Sequence, residues 1–261
     1  MRGSSARKVI DVTGGLTLRR ACRGLPDRHP CPWASRCDVA GRCVHGDVAR
    51  VPRVPRDIRL AFVGDSFTAG AEDDLALGWV GRVVARGRAD GWNLTGYNLG
   101  VRRETTLDIQ ARLVTEARPR LRDGDAHGLV VSAGINDTTV MAGQRRVNME
   151  DTLAALDRII ESAVVERWPL LLVGPALVGD AEQNKRIVAL SEAMAERCDE
   201  RDVTYVEVAA SLIGDEEWVA EVTSVDGAHP RASGYERLAH LVWPAFREWL
   251  DDLAAAVPST S

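Results

Sequence analysis

Long apolar runs are missing from this sequence. No stretch of its 261 residues approaches the roughly 18 uninterrupted apolar residues that mark a membrane-spanning helix. The start of the chain is basic but holds no apolar run of about 7–15 residues, the length that a secretory signal needs. We therefore expect no membrane span and a cytoplasmic location.

The usual cofactor-binding motifs are missing as well. The chain holds no Gly-x-Gly-x-x-Gly, no phosphate-binding loop ending in Gly-Lys-Ser/Thr, no His-Glu-x-x-His and no Cys-x-x-Cys. Those spacings present backbone amides to phosphates, or side chains to a metal ion. We therefore expect neither a nucleotide nor a metal cofactor.

Aromatic residues are scarce, at 5% of the chain, although seven of them are Trp. The hydrophobic content of 45% and the charged content of 27% are those of an ordinary globular protein, which excludes collagen, low-complexity chains and disulfide scaffolds. A chain of this size buries about 70% of the surface that its unfolded form exposes, so we expect a substantial core.

Charge divides the sequence into two parts. Residues 1–56 hold 12 basic and 4 acidic side chains, a balance of +8, whereas residues 57–261 hold 21 basic and 34 acidic ones, a balance of −13. No helical or strand period runs through the first part, so we expect a loop-rich or disordered extension there and the folded domain in the second part. The acidic balance of that domain argues against nucleic-acid partners.

The extension carries four of the five cysteines and two histidines, namely Cys22, Cys31, Cys37, Cys43, His29 and His45. A metal site would need two thiolates close enough in sequence for one turn to present both, and this spacing does not provide them. Disulfides would need an oxidising compartment, and nucleic-acid binding would need aromatic residues among the arginines. The role and redox state of these cysteines stay open, and we favour a dispensable extension.

The rest of the chain alternates between strand and helix patterns. Short apolar runs begin near residues 58, 92, 128, 169 and 203, and a helical period of apolar residues fills each gap. The pattern places Leu107 and Val164 on buried helix faces, Asn148 at a helix N-cap and a last helix over residues 232–255, with only a short connection after the fifth strand. Such alternation predicts an α/β fold with one parallel sheet.

Chemistry in parallel sheets gathers where the strands end, at their carboxyl edge. Polar or glycine residues follow four of the predicted strands at that edge: Ser66, Gly100, Asn136, and Asp226 with His229. A serine hydroxyl becomes a good nucleophile only when a base removes its proton, and an imidazole held in one tautomer by a carboxylate can do so. We therefore predict Ser66 as nucleophile, His229 as base and Asp226 as the residue that orients the imidazole.

Acyl transfer also needs donors for the negative oxygen of the tetrahedral intermediate. We predict three: the Ser66 amide, the Gly100 amide and the side-chain amide of Asn136. A glycine at position 100 would let the backbone approach the substrate without a Cβ. Asp65 and Asp137, beside these donors, are expected to bind backbone amides and shape the loops.

These motifs resemble those of the SGNH (GDSL-type) hydrolase family over roughly residues 58–245. The resemblance rests on Gly64-Asp65-Ser66, Gly100, Gly134-x-Asn136-Asp137 and Asp226-x-x-His229-Pro230. It implies a flavodoxin-like three-layer α/β/α fold with strand order 2-1-3-4-5. It also implies a serine esterase or lipase that hydrolyses carboxylic esters or thioesters of a small substrate without a cofactor.

Other interpretations remain open from the sequence alone. The same residues would serve an acyltransferase, and the loop after Ser66 would suit an anion- or nucleotide-binding module, although Asp226 and His229 would then have no role. Ser66 could merely cap a helix, and Asn136 could merely stabilise a turn. Residues expected to stay outside the chemistry are His127, His240 and Cys198, whereas Trp79 is the one tryptophan expected near the pocket. The oligomeric state is not predicted.

Overall fold

The computed structural model describes residues 56–255. The interpretations of the cysteine-bearing extension, Cys22, Cys31, Cys37 and Cys43 included, lie outside the described residues. None of the helices in the described range combines the length and the apolar character that crossing a membrane requires.

In the described part of the chain, five strands form the central sheet, and a two-stranded hairpin lies between its third and fourth strands in sequence. In chain order the strands are β1 (Asp57–Gly64), β2 (Asn93–Gly100), β3 (Ala126–Ser132), β4 (Val140–Met141), β5 (Gln144–Arg145), β6 (Leu170–Val173) and β7 (Thr204–Val206). The large sheet is parallel throughout, in the order β2-β1-β3-β6-β7. Counted along the large sheet alone, this is the expected order 2-1-3-4-5.

Within residues 56–255, seven α-helices flank the sheet. They are α1 (Ser66–Ala69), α2 (Gly78–Ala89), α3 (Thr106–Ala117), α4 (Met149–Glu166), α5 (Ala181–Glu200), α6 (Glu216–Val225) and α7 (Ala232–Ala255). Alternate residues of β1 enter two separate cores: Phe62 packs with residues of α2, α6 and α7, whereas Val63 packs with residues of α3, α4 and α5. This period of two puts one core on each face of the sheet, so the predicted three-layer α/β/α fold is confirmed.

The helix predictions hold in part. Asn148 caps α4 by accepting the amide of Asp151, and α7 begins and ends where expected. Leu107 and Val164 were placed wrongly, because both are exposed. Buried faces are lined instead by neighbours such as Ile109 and Ala163. The spacing of apolar residues in these helices fits two adjacent faces, so it does not determine which of the two faces is buried.

The short connection expected after the fifth strand is also wrong. A one-turn 3₁₀ helix and then α6 fill that stretch. Only Trp218 and Val222 of α6 are buried, so the apolar stripe of this helix is too short to stand out in the sequence. Asp215 starts the helix by accepting the amide of Trp218.

The sheet register brings the strand ends together. Gly64, the last residue of β1, lies opposite Gly100 of β2 and Ser132 of β3. The loops that follow these three strands therefore leave the sheet at one level, at its carboxyl edge. That edge carries the polar residues singled out in the sequence.

Candidate active site

Ser66 lies at the tight turn between β1 and the four-residue helix α1. Asp65 caps the helix, because its Oδ1 accepts the amide of Phe67 at 2.9 Å. The helix ends at Gly70, whose φ of 77° is in the left-handed region that glycine adopts without strain. This turn holds Ser66 at the carboxyl edge and leaves its amide as the first N–H of a helix, which no residue of that helix can accept.

His229 meets Ser66 across 163 positions of the chain. Its Nε2 lies 2.7 Å from the Ser66 Oγ, and its Nδ1 lies 2.7 Å from Oδ2 of Asp226. The ring also packs against Phe67, with 5.2 Å between ring centroids. The structure thus brings three of the predicted residues into one continuous chain of hydrogen bonds.

The charge state of Asp226 determines which atoms donate and which accept in these hydrogen bonds. Partial burial opposes the ionisation of Asp226, but hydrogen bonds from the amide and the ring of His229 and from the Ala228 amide hold its pKa below the ordinary value. An ionised carboxylate only accepts hydrogen bonds. The proton of the neutral ring therefore lies on Nδ1, and the lone pair of Nε2 faces the Ser66 hydroxyl.

Gly100 lies where β2 passes under helix α1. A Cβ at this position would come within 2.2 Å of the Ala69 amide nitrogen and 2.6 Å of the Ala69 Cα. The structure gives a packing reason for this glycine, which leaves room for the backbone of α1. The expectation that it also lets the backbone approach a substrate stays a prediction. The Gly100 amide donates to Oδ1 of Asn98 at 3.0 Å, and Asn98 in turn donates to the Thr68 carbonyl.

Asn136 follows β3 and reaches towards the nucleophile turn. Its Nδ2 donates to the main-chain carbonyl of Glu104 at 2.9 Å and to Oδ2 of Asp65 at 3.3 Å. Both hydrogens of this amide therefore have acceptors, and the second hydrogen bond is the longer and weaker one. The side chain links the loops that follow β1, β2 and β3.

Asp65 and Asp137 are buried carboxyl groups under these loops. Burial raises the pKa of Asp65 to about 7, with a contribution from the charge of Asp137 and against the hydrogen bond from the Phe67 amide. Burial also raises the pKa of Asp137. Asp137 accepts the Thr106 amide at 3.0 Å and the Thr152 hydroxyl at 2.9 Å, so it ties the start of α3 to α4.

Comparison with known proteins decides the family. The model of the GDSL-like lipase/acylhydrolase family matches residues 62–237. The chain belongs to this family. Its members are carboxylic ester hydrolases, and the resemblance recognised in the sequence is confirmed.

Individual relatives are distant. The esterase TesA of Pseudomonas aeruginosa is 25% identical over 194 residues, which cover 73% of this chain and 89% of TesA. Among solved structures, that of TesA has a TM-score of 0.60 at 21% identity and covers 73% of this chain and 99% of its own. A lipase/acylhydrolase from Enterococcus faecalis has a TM-score of 0.59 at 20% identity, with 78% and 98% covered. These structures share the GDSL fold.

Ion pairs frame the site of this GDSL family member. The loop after α1 connects to the loop after β2 through Glu72 and Arg102, 3.4 Å apart. It also connects to the histidine loop through Asp74 and Arg231, 2.8 Å apart. A small cavity of about 10 Å³ lies against Phe67, with Trp79 in its lining; the closeness of Trp79 to a substrate pocket stays a prediction.

The remaining candidates lie away from this constellation. His127 is at the opposite end of β3, where its Nε2 lies 2.6 Å from the Asp123 carbonyl, and His240 is exposed on α7. Cys198 is buried in α5, and burial raises its thiol pKa to about 12. Within residues 56–255, no three His, Cys, Asp or Glu side chains form a group that could hold a metal ion.

Sequence reasoning missed Asn98 and Glu104. Asn98 binds the Gly100 amide, and the Glu104 main chain accepts the Asn136 side chain. Asn98 stands two residues before a recognised glycine, which was a usable signal. Nothing in the local sequence marks Glu104, because its partner lies 32 positions away.

Proposed function

We propose that residues 57–261 form a serine esterase domain that hydrolyses ester or thioester bonds of a small acylated substrate through an acyl-enzyme on Ser66. The observation that carries the proposal is the 2.7 Å separation of the Ser66 Oγ from Nε2 of His229, together with the 2.7 Å separation of Nδ1 from Asp226. This is the geometry that a hydroxyl needs for proton removal as it attacks.

Acylation begins when the Ser66 Oγ bonds to the ester carbonyl carbon and its proton passes to Nε2 of His229. The ionised Asp226 stabilises the imidazolium that forms. The tetrahedral intermediate then collapses: the bond from carbon to the leaving oxygen or sulfur breaks, and the imidazolium returns the proton to the departing alcohol or thiol. The acyl group stays on Ser66.

The oxyanion of the intermediate would be bound by the amides of Ser66 and Gly100 and by Nδ2 of Asn136. The last two already hold acceptors, Asn98 for Gly100 and Asp65 for Asn136 at 3.3 Å. A full negative charge attracts an N–H more strongly than the neutral amide oxygen of Asn98 does, and the hydrogen bond from Asn136 to Asp65 is long and therefore weak. We propose that the oxyanion takes over these donors as the charge develops, which favours the transition state over the bound ester.

Deacylation repeats the sequence with water as the nucleophile, and His229 acts as base again. An acyltransferase would use the same residues and let an alcohol intercept the acyl-enzyme. Turnover with an added alcohol separates the two: a hydrolase releases mainly the free acid, whereas a transferase forms mainly the new ester.

The direct test replaces Ser66 by alanine, with Ser162→Ala at a half-buried position of α4 as the matched control. Ser66→Ala should abolish the hydrolysis of p-nitrophenyl acetate, and Ser162→Ala should leave it unchanged. A phosphonate ester should label the wild type once, on the peptide that contains Ser66. Undiminished hydrolysis by Ser66→Ala would refute the proposal.

A series of p-nitrophenyl esters from acetate to palmitate, run beside acetylated sugars and acyl-CoA thioesters, would define the acyl and leaving-group preferences. The cytoplasmic location and the absence of nucleic-acid partners stay predictions.

A further inference from the structure

Arg112 lies in the middle of α3, outside every motif described above, and its side chain is only 15% exposed. Its guanidinium reaches the carboxyl ends of β1 and β2. Nη2 donates to the Gly64 carbonyl at 3.1 Å and to the Leu99 carbonyl at 2.9 Å. These carbonyls directly precede the Asp65-Ser66 turn and Gly100.

The contact with Leu99 acts on the Gly100 amide. The Leu99 carbonyl and the Gly100 N–H belong to the same planar peptide group and point in opposite directions. Holding the oxygen therefore sets the direction of the N–H, and a cationic donor on the oxygen also polarises the peptide so that its N–H donates more strongly. Arg112 thus orients the Gly100 N–H through the planar Leu99–Gly100 peptide group.

A second contact leads to Asn136. Nε of Arg112 donates to the Glu104 carboxylate at 2.6 Å, and the main-chain carbonyl of Glu104 accepts Nδ2 of Asn136 at 2.9 Å. The Glu104 side chain is only 16% exposed, so this ion pair is largely shielded from water. The same guanidinium therefore fixes the residue that orients the Asn136 side chain.

We propose that Arg112 is a positioning residue for the oxyanion donors, an assignment that rests on the proposed acyl transfer at Ser66. The guanidinium does not contact the acyl carbonyl. It locks the peptide that carries the Gly100 N–H, the carbonyl that precedes the nucleophile turn, and the acceptor that orients Asn136. A guanidinium suits this work because its forked N–H groups reach separate acceptors in fixed directions, which an ammonium on a flexible chain does not do.

A residue that only braced α3 would behave differently. Losing a brace lowers the stability of the whole domain and reduces activity in proportion to the unfolded fraction. Losing a positioning residue misaligns donors that act on the oxyanion, so kcat falls while KM stays nearly constant. The ratio of kcat to KM effects therefore distinguishes the two roles.

The experiment compares Arg112→Met and Arg112→Lys with Arg118→Met. Arg118 is the matched control: it caps the C-terminus of α3 and pairs on the surface with Glu166. For p-nitrophenyl acetate, at a temperature where circular dichroism shows every variant folded, Arg112→Met should lose roughly 10–100-fold in kcat. Its KM should stay within about twofold of wild type. Arg112→Lys should fall between wild type and Arg112→Met, and Arg118→Met should match wild type.

Glu104→Gln keeps the main-chain carbonyl that binds Asn136 but removes the nearer of the two carboxylate charges beside Arg112, at 2.6 Å, and leaves Glu116 at 3.3 Å. It should lose roughly 2–10-fold in kcat, and it tests the proposal even if Arg112→Met does not fold. Wild-type kcat in both Arg112→Met and Glu104→Gln, or a loss confined to KM, would overturn the positioning role. Failure of the proposed function shows separately, as activity that survives in Ser66→Ala.

Discussion

Asp226 holds His229 at two points. Its Oδ1 accepts the His229 backbone amide at 2.8 Å, and its Oδ2 lies 2.7 Å from the ring Nδ1. One carboxylate accepts hydrogen bonds from both the main chain and the ring of His229. The imidazole therefore cannot turn away from Ser66 without breaking a hydrogen bond. The device is local, since the two residues are three positions apart.

This double contact predicts which substitution of Asp226 lowers kcat more. Its Oδ1 accepts the amides of both Ala228 and His229, so the single oxygen of an asparagine would stay with those amides and turn its NH₂ towards Nδ1. That arrangement favours the wrong tautomer of the ring, with the proton on Nε2. Asp226→Asn should lose about 10²–10³-fold in kcat, less than the roughly 10⁴-fold known for a buried triad acid, because the Asp226 side chain is 37% exposed.

Asp226→Ala is the comparison for that experiment. Water can enter the space and accept the Nδ1 proton, so the alanine variant should retain more activity than the asparagine variant. Steady-state kinetics on p-nitrophenyl acetate measure both. An alanine variant slower than the asparagine variant would contradict the tautomer argument.

Asn136→Ala should lower kcat by roughly 10²–10³-fold, the usual effect of removing one oxyanion donor. KM should change little, because the donor acts mainly on the charge of the intermediate. Asn148→Ala, which removes the cap of α4, is the matched control: it should cost about 1 kcal/mol of stability and leave kcat unchanged. Equal kcat in the two variants would remove Asn136 from the oxyanion site.

The raised pKa of Asp65 predicts that the stability of the fold depends on pH. Its pKa rises from 3.8 to about 7 on folding, so between these values the folded protein holds a proton that the unfolded chain has lost. The free energy of unfolding should therefore fall as pH rises through this window, by up to about 1.4 kcal/mol per pH unit, and level off above it.

Asp65→Asn should reduce that slope, because asparagine carries no titrating proton and can still accept the Phe67 amide. Some slope should remain, since burial also raises the pKa of Asp137. Urea unfolding at several pH values between about 4 and 8 measures the effect, with the exposed Asp251→Asn as control. An unaltered slope in Asp65→Asn would show that Asp65 does not titrate in this range.

Gly100→Ala tests the packing of α1 on β2. The added methyl group would meet the backbone of Ala69 at 2.2 Å, and backbone cannot move aside as a side chain can. We expect a loss of about 3 kcal/mol or more in stability, together with reduced activity. Gly143→Ala is the control: its φ of 80° strains alanine by about 1–2 kcal/mol, but no atom lies within 4 Å of its added methyl group. Equal losses in the two variants would refute the packing argument.

The fold and the grouping of Ser66, His229 and Asp226 follow largely from the sequence. The strands β1 and β3 are largely apolar on both faces, and the loops that follow them carry residues that stand out by their chemistry, Ser66 and Asn136. Asp226 and His229 stand three positions apart, so their pairing is readable from spacing alone. Helix α6 is not predictable from the sequence, because only Trp218 and Val222 mark its buried face.

Contacts across the fold were decided by the tertiary structure. The need for glycine at position 100 comes from Ala69, which approaches only when α1 folds over β2. The hydrogen bonds of Arg112 go to main-chain carbonyls 13 and 48 positions away, and a carbonyl leaves no trace in the sequence because every residue has one. The sequence shows the chemistry of each side chain and the spacing of apolar residues along the chain. The direction in which a backbone N–H points is set only by the tertiary structure, because it depends on contacts between distant segments.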